Sequence, residues 1–217
     1  MDEALDLFVR ATDLDVVSDA RGRISRISKL ESAQLHEIVA EWQDRQAVAN
    51  LLMYPEVIPA PDRDQALFRG LSSDLGDYTL LASIIGVQRL AERDQLADDV
   101  RKQAGSRLVE VARTAPDATA ARASIALGEL TDDVDLDEIL TLVDVPDETV
   151  MHNVLAIALE LAGREQVRER VARLQASGRL DDPSAVRALA HLESMDGMAA
   201  LPALTYIPSL ADWQEQP

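Results

Sequence analysis

TAPDATAARASIALGEL, residues 114–130, decides the fold expected for this chain. Behind the proline, alanine, isoleucine and leucine recur at three- and four-residue spacing, which is the spacing of one helix face. Proline suits the first turn of a helix because the amide that it lacks has no partner there, and aspartate is favoured at the positive end of the helix dipole. The stretch predicts a helix that begins near Pro116, with Thr114 as its N-cap.

The same kind of helix start recurs twice further along the chain. DVPD (144–147) precedes a second helical run and predicts Asp144 as an N-cap. LDDPSAV (180–186) repeats the pattern, with Asp182 predicted as the cap and Pro183 at the first helical position.

The apolar runs behind these starts are also alike. They are ARASIALGEL (121–130), VLAIALELAG (154–163) and VRALAHLES (186–194), and LASIIGVQRL (81–90) is a fourth, earlier copy. A period of about 30 to 40 residues with two helices per unit is typical of an α-solenoid. Small residues in these runs are predicted to let neighbouring helices approach closely: Ala123, Ala126, Ala156, Ala158, Ala188 and Ala190.

Residues 77–194 resemble HEAT-type repeats, helix pairs in which an acidic cap and a proline precede a run such as ARASIALGEL. The resemblance implies an all-α fold, an α-solenoid of HEAT-like helix pairs with a helical N-terminal cap. An irregular helical bundle is the alternative. The expected domains are a cap over 1–60, repeats over 61–200 and a tail over 201–217.

Composition agrees with a helical, globular chain. Aromatic residues make up only 3% of the sequence, and apolar residues make up 47%, so the residue types that favour strands are scarce. Gly70, Gly76 and Gly86 are predicted to be helix breakers or close-packing sites. No apolar run approaches the length of a membrane span. MDEALDLF lacks the pattern of a secretory signal and the chain has no cysteine, so we expect a cytoplasmic protein.

No motif predicts an enzyme. The sequence has no glycine-rich phosphate loop and no G-x-S-x-G. His36, His152 and His191 are far apart in sequence and are interpreted as structural. TDDVDLDE (131–138) lacks the glycine and the final glutamate of a calcium loop and is interpreted as a solvated interhelical loop. We expect no catalytic residue, metal or cofactor.

Two segments are predicted to bind a partner. RGRISRISK (21–29) gathers four of the 21 basic residues of a chain whose net charge is −18: Arg21, Arg23, Arg26 and Lys29. These side chains either offset the acidic residues before them, or dock an anion, an acidic partner or RNA phosphates, or contact a membrane surface. The tail (201–217) concentrates Tyr206, Ile207, Leu210 and Trp213. It either covers the end of the solenoid or offers a linear motif anchored by an aromatic side chain.

The charge predicts the partner. So negative a surface repels phosphate backbones and steers basic proteins, which argues against general nucleic-acid binding. We therefore expect a non-catalytic protein–protein interaction scaffold or adaptor whose partner carries a basic patch. The alternatives are an enzyme or cofactor-handling lyase built on the repeats, since some HEAT-like proteins attach bilin pigments, and an acidic nucleic-acid mimic that captures basic proteins.

Overall fold

The computed structural model describes residues 49, 51–58, 62–72 and 76–195. Within these ranges every regular element is a helix and no strand occurs, so the all-α prediction is confirmed for the described residues. They divide into two compact units. Unit 1 ends at Leu96, and unit 2 begins at Ala97. The predicted domain boundaries near residues 60 and 200 stay predictions.

Unit 1 contains two described α-helices. Residues 51–53 are helical and lead into the 3₁₀ turn Pro55–Val57, which is followed by α1 (Asp62–Gly70) and α2 (Asp77–Ala91). Helix α2 is apolar on nearly all sides, and its buried positions run from Thr79 to Ala91 with a single interruption at Arg89. A helix of this composition is stable only where packing covers its whole circumference.

Two glycines of unit 1 permit that packing. A Cβ atom at Gly86 would lie 2.0 Å from the carbonyl oxygen of Leu52, and one at Gly70 would lie 1.9 Å from Oγ of Ser83. Gly76 precedes α2 with a φ of 90°, a backbone conformation that glycine adopts without strain. The predicted roles of Gly70 and Gly86 in close packing, and of Gly76 at a helix boundary, are therefore confirmed.

Unit 2 contains five α-helices among its described residues. They are α3 (Asp98–Thr114), α4 (Asp117–Leu127) with the 3₁₀ turn Gly128–Leu130, α5 (Leu136–Leu140) with the 3₁₀ turn Thr141–Asp144, α6 (Glu148–Ala176) and α7 (Asp182–Ser194). Gly163 interrupts α6 with φ 73° and ψ 160°. The elements thus follow one another as three helix pairs: α3 with α4, residues 136–144 with residues 148–162, and residues 164–176 with α7.

Apolar residues at helical spacing along α6 contribute to the core of unit 2. They are buried at Val150, Met151, Val154, Leu155, Ala158, Val167, Val171 and Leu174. Leu161, in the predicted run VLAIALELAG (154–163), is 45% exposed and lies two residues before Gly163, where the helix is interrupted. Ala190 is also exposed, whereas the other five small residues predicted at close contacts are buried.

The predicted N-caps of α4 and α6 are wrong. Thr114 is the last residue of α3, and its hydroxyl donates to the carbonyl of Glu110 at 2.9 Å. Pro116 precedes α4 with no side-chain cap. At α6 the cap is Asp147, whose Oδ1 accepts from the amides of Thr149 at 2.7 Å and Val150 at 2.9 Å.

The predicted cap of α7 is displaced by one residue. Asp181, not Asp182, accepts a hydrogen bond from the amide of Ser184 at 2.7 Å. The reason for both displacements is the reach of the short aspartate side chain, which extends only to amides two and three residues after it. An aspartate farther from the first turn therefore cannot reach these amides, and its carboxylate forms hydrogen bonds with other groups.

Candidate functional site

Polar side chains join successive helix pairs of unit 2. Nε of Arg101 on α3 donates to Oδ2 of Asp133 at 2.7 Å, and Nη2 of the same arginine donates to the carbonyl of Glu129 at 3.1 Å. The Arg101 and Asp133 side chains are only 14% and 11% exposed. This corrects the interpretation of residues 131–138 as a solvated loop: Asp132 is exposed, but Asp133 is held by an ion pair.

The other acids of that stretch also have structural partners. Asp135 is the N-cap of α5, where its Oδ1 accepts from the amide of Asp137 at 2.9 Å. Asp137 in turn accepts from Nη1 of Arg170, on the second half of α6, at 2.5 Å. A sequence in which aspartates alternate with apolar residues could not show which helix would supply each arginine.

Bonds made by Ser184, His191 and Arg187 to the second helix pair join residues 39 to 44 apart in the sequence, but four other bonds between helix pairs join residues 28 to 33 apart. Arg101–Asp133 joins residues 32 apart, Arg170–Asp137 residues 33 apart, and Asn153–Ser124, at 3.0 Å, residues 29 apart. Nη2 of Arg113 donates to Oγ1 of Thr141, 28 residues further on, at 2.8 Å. Each of these four contacts thus connects a position in one helix pair to a position near its equivalent in the next.

The starts of α6 and α7 lie side by side and carry exposed acids. Oγ of Ser184 donates to Oδ1 of Asp144 at 2.8 Å, which brings the two helix starts together. We call the carboxylates at these starts the acidic edge: Asp144, Asp147, Glu148, Asp181 and Asp182. The amide of Ser184 lowers the pKa of Asp181 because its hydrogen bond favours the charged carboxylate.

One arginine anchors α7 beside this edge. Nη2 of Arg187 donates to the carbonyls of Val143 at 2.8 Å and Val145 at 3.2 Å. Besides the hydrogen bonds from Ser184, the positive charge of Arg187 lowers the pKa of Asp181. Asp182 accepts a hydrogen bond from Nε2 of Gln175 at 2.9 Å, and the side chains of Glu148 and Asp182 are exposed to solvent.

The structure also brings together two histidines that the sequence places 39 residues apart. Nδ1 of His152 on α6 lies 3.1 Å from Nε2 of His191 on α7, and the two rings meet edge to face with their centres 5.3 Å apart. Burial and the charge of His191 lower the pKa of His152. No pattern in the sequence predicts this contact, since it depends on how α6 and α7 cross.

Helix α3 carries an open depression of about 370 Å³ on its outer side. Its described lining is Lys102, Gln103, Ser106, Arg107 and Glu110. Arg107 and Glu110 form an ion pair one turn apart, so the lining presents both signs of charge.

The residues predicted to bind a partner lie outside the described part of the chain. They are Arg21, Arg23, Arg26, Lys29, Tyr206, Ile207, Leu210 and Trp213, and they stay predictions. In the described residues no group of three or more His, Asp or Glu side chains is placed to hold a metal ion. None of the helices described there has the length and apolarity to cross a membrane.

Comparison of the chain with protein-family models, with curated proteins and with solved structures found no significant match.

Proposed function

We propose that the chain is a non-catalytic scaffold built on HEAT-like repeats and that its solenoid binds a protein partner with a basic patch. The observation that carries the proposal is that polar side chains join each helix pair of unit 2 to the next, with four of these contacts between residues 28 to 33 apart. In a solenoid each repeat contacts only its neighbours, so contacts of this kind repeat with the period of the sequence.

The polar contacts favour one stacking arrangement over others. Apolar burial is non-directional, whereas the hydrogen bonds Arg101–Asp133 and Asn153–Ser124 would separate if one pair slipped by a residue. A surface formed by several stacked pairs then keeps a fixed shape, and a fixed shape reduces the entropy lost when a partner binds.

The acidic edge favours a basic partner. Glu148 and Asp182 are exposed beside the capping carboxylates of Asp147 and Asp181, and the chain as a whole has a net charge of −18. Such a field accelerates encounters with positive surfaces and disfavours negative ones, and its effect weakens as salt is added.

The test is capture of partners from host extract by the tagged protein, with paired charge-reversal variants. Glu148→Lys with Asp182→Lys alters the acidic edge, and Glu160→Lys with Glu169→Lys alters two exposed acids on α6 away from it. Both variants change the net charge by the same amount. We expect a protein with a basic patch to be captured by wild type and by the control, to be lost with the edge variant, and to be released by moderate salt.

Equal capture by all three proteins would contradict a role for the acidic edge, and equal loss from both variants would mean that only the overall charge matters. Release of the captured protein by duplex DNA would favour the acidic-mimic alternative. A further variant with Arg21, Arg23, Arg26 and Lys29 changed to Ser tests the basic run in the same assay.

A further inference from the structure

The contact between His152 and His191 joins the first half of α6 to α7 through two imidazole rings. A hydrogen bond between imidazoles requires one nitrogen that donates and one that accepts. At a nitrogen–nitrogen distance of 3.1 Å, the pair satisfies this requirement while at least one ring is neutral. When both rings are protonated, both nitrogens are donors, and two positive charges face each other.

The charged side chains on the surrounding elements do not offset the positive charge that a second protonated imidazole would add. On α7, Arg187 is bound to backbone carbonyls and Glu193 to Arg168. In the turn before α6, Asp144 accepts from Ser184. On α4, the described contact to α6 is made by Ser124 with Asn153.

Glu148, one turn before His152 on α6, is exposed, so its charge is screened by solvent. Glu160 on α6 makes no ion pair or hydrogen bond with either imidazole among the contacts of the described residues. The pair therefore stands without a neighbouring carboxylate partner in that part of the chain.

We propose that His152 and His191 form a pH-sensitive link that holds α7 against α6 when the pair is neutral and loosens it when both rings are charged. The inference does not depend on the proposed scaffold function, because it concerns only how two helices of unit 2 pack.

The direction of the pH effect follows from the surroundings of His152. Burial and His191 lower its pKa below the ordinary value, so the folded state binds this proton less readily than the unfolded state. The contribution of the link to stability is therefore fully present above about pH 6.5, the ordinary pKa of histidine. It is lost as the pH falls below that value through the pKa of His152 in the folded protein.

A double-mutant cycle tests the link. The melting temperature is measured for wild type, His152→Asn, His191→Asn and the double variant at pH 7.5 and at pH 5, with the fold checked by circular dichroism. At pH 7.5 we expect the double variant to lose less than the sum of the two single losses, because the first substitution already removes the bond. At pH 5 we expect the coupling to be weaker, because protonation of both rings leaves the bond without an acceptor.

Coupling of the same sign and size at both pH values, or no coupling at either, would overturn the proposal. Hydrogen exchange in the wild-type protein provides a local measurement that needs no variant. Protection of the α7 amides, relative to those of α3, is expected to fall between pH 7.5 and pH 5. Equal changes in the two helices would count against the link even if a variant failed to fold.

Discussion

Unit 1 and unit 2 differ in how their helices contact each other. In unit 1, α2 is buried on nearly every side, and Gly86 lets it approach the backbone of Leu52 directly. In unit 2, the helix pairs have amphipathic helices, and arginine, asparagine and aspartate side chains bond across from one pair to the next. The close approach in unit 1 requires that Gly86 has no side chain, whereas each polar contact in unit 2 requires two side chains.

The difference indicates which kind of amino-acid substitution each unit tolerates. A backbone contact such as that of Gly86 leaves no space for an added atom, because packed interiors relax only partially. Contacts between polar side chains at a surface tolerate small shifts but need both partners. A substitution at Gly86 should therefore act through overlap and one at Asp133 through lost pairing, although unit 2 also has a close glycine contact, since a Cβ atom at Gly105 would lie 2.2 Å from Cγ2 of Val134.

The largest effect is expected for Gly86→Ala. The new methyl group would lie 2.0 Å from a backbone carbonyl oxygen and 2.8 Å from Cδ2 of Leu67, so the helix or the preceding segment must move, at a cost of about 3 kcal/mol. Gly128→Ala in unit 2 is the matched control. Its methyl group would lie at least 3.6 Å from Ile157, and a gain of about 0.5 kcal/mol is expected because alanine favours helical backbone.

Urea unfolding followed by circular dichroism measures both glycine variants. Equal stability of Gly86→Ala and wild type would show that the helices of unit 1 do not approach as closely as described. Destabilisation by Gly128→Ala would mean that the two units do not differ in this respect.

A smaller effect is expected for Asp133→Ala. The substitution removes the carboxylate that accepts from Nε of Arg101, in surroundings where the ion pair is largely buried. We expect a loss of about 2 kcal/mol in the free energy of unfolding. The neighbouring Asp132→Ala removes the same charge from an exposed position and should change stability by less than about 0.5 kcal/mol.

Urea unfolding of the two aspartate variants side by side decides between the ion pair and a solvated loop. If residues 131–138 were only a solvated loop, as their composition predicts, the two losses would be equal and small.

The smallest effect concerns the start of α6. Asp147→Ala removes the oxygen that accepts from two amides of the first turn and should cost about 1 kcal/mol. Thr114→Ala, at the position predicted from sequence as the cap of α4, should cost less than about 0.5 kcal/mol because its hydroxyl makes one exposed bond to Glu110. Thermal unfolding measures the stability of the two variants. A larger loss of stability for Thr114→Ala than for Asp147→Ala would support Thr114 as the cap, as predicted from sequence.

Much of the fold could be predicted because its signals are local. Helix type follows from composition and from the spacing of residues such as Val150 and Val154. The starts of α4, α6 and α7 were predicted to within a few residues because proline and aspartate act on the first turn that follows them. The caps of α6 and α7 were assigned wrongly, since two acids lie near the start of each of these helices and only the backbone path decides which one reaches the amides. Helix α4 has no side-chain cap at all.

The apolar runs that resemble one another in sequence differ in how far they are buried. LASIIGVQRL (81–90), the predicted fourth copy, lies within α2 and is buried at nine of its ten positions. In ARASIALGEL (121–130), five positions remain at least partly exposed. Both runs fit one face of a helix equally well, but the extent of burial depends on neighbours that the sequence does not identify.

The sequence by itself predicted a helical fold, which the described residues confirm, and it indicated that Gly70 and Gly86 are helix breakers or close-packing sites. The repeat with a period of about 30 to 40 residues stays a prediction. The first two properties depend on contacts within one turn of helix or on residue size. Only the tertiary structure decided that Asp133 meets Arg101 and that His152 meets His191. The partners are 32 and 39 residues apart, so their meeting depends on how successive helices cross.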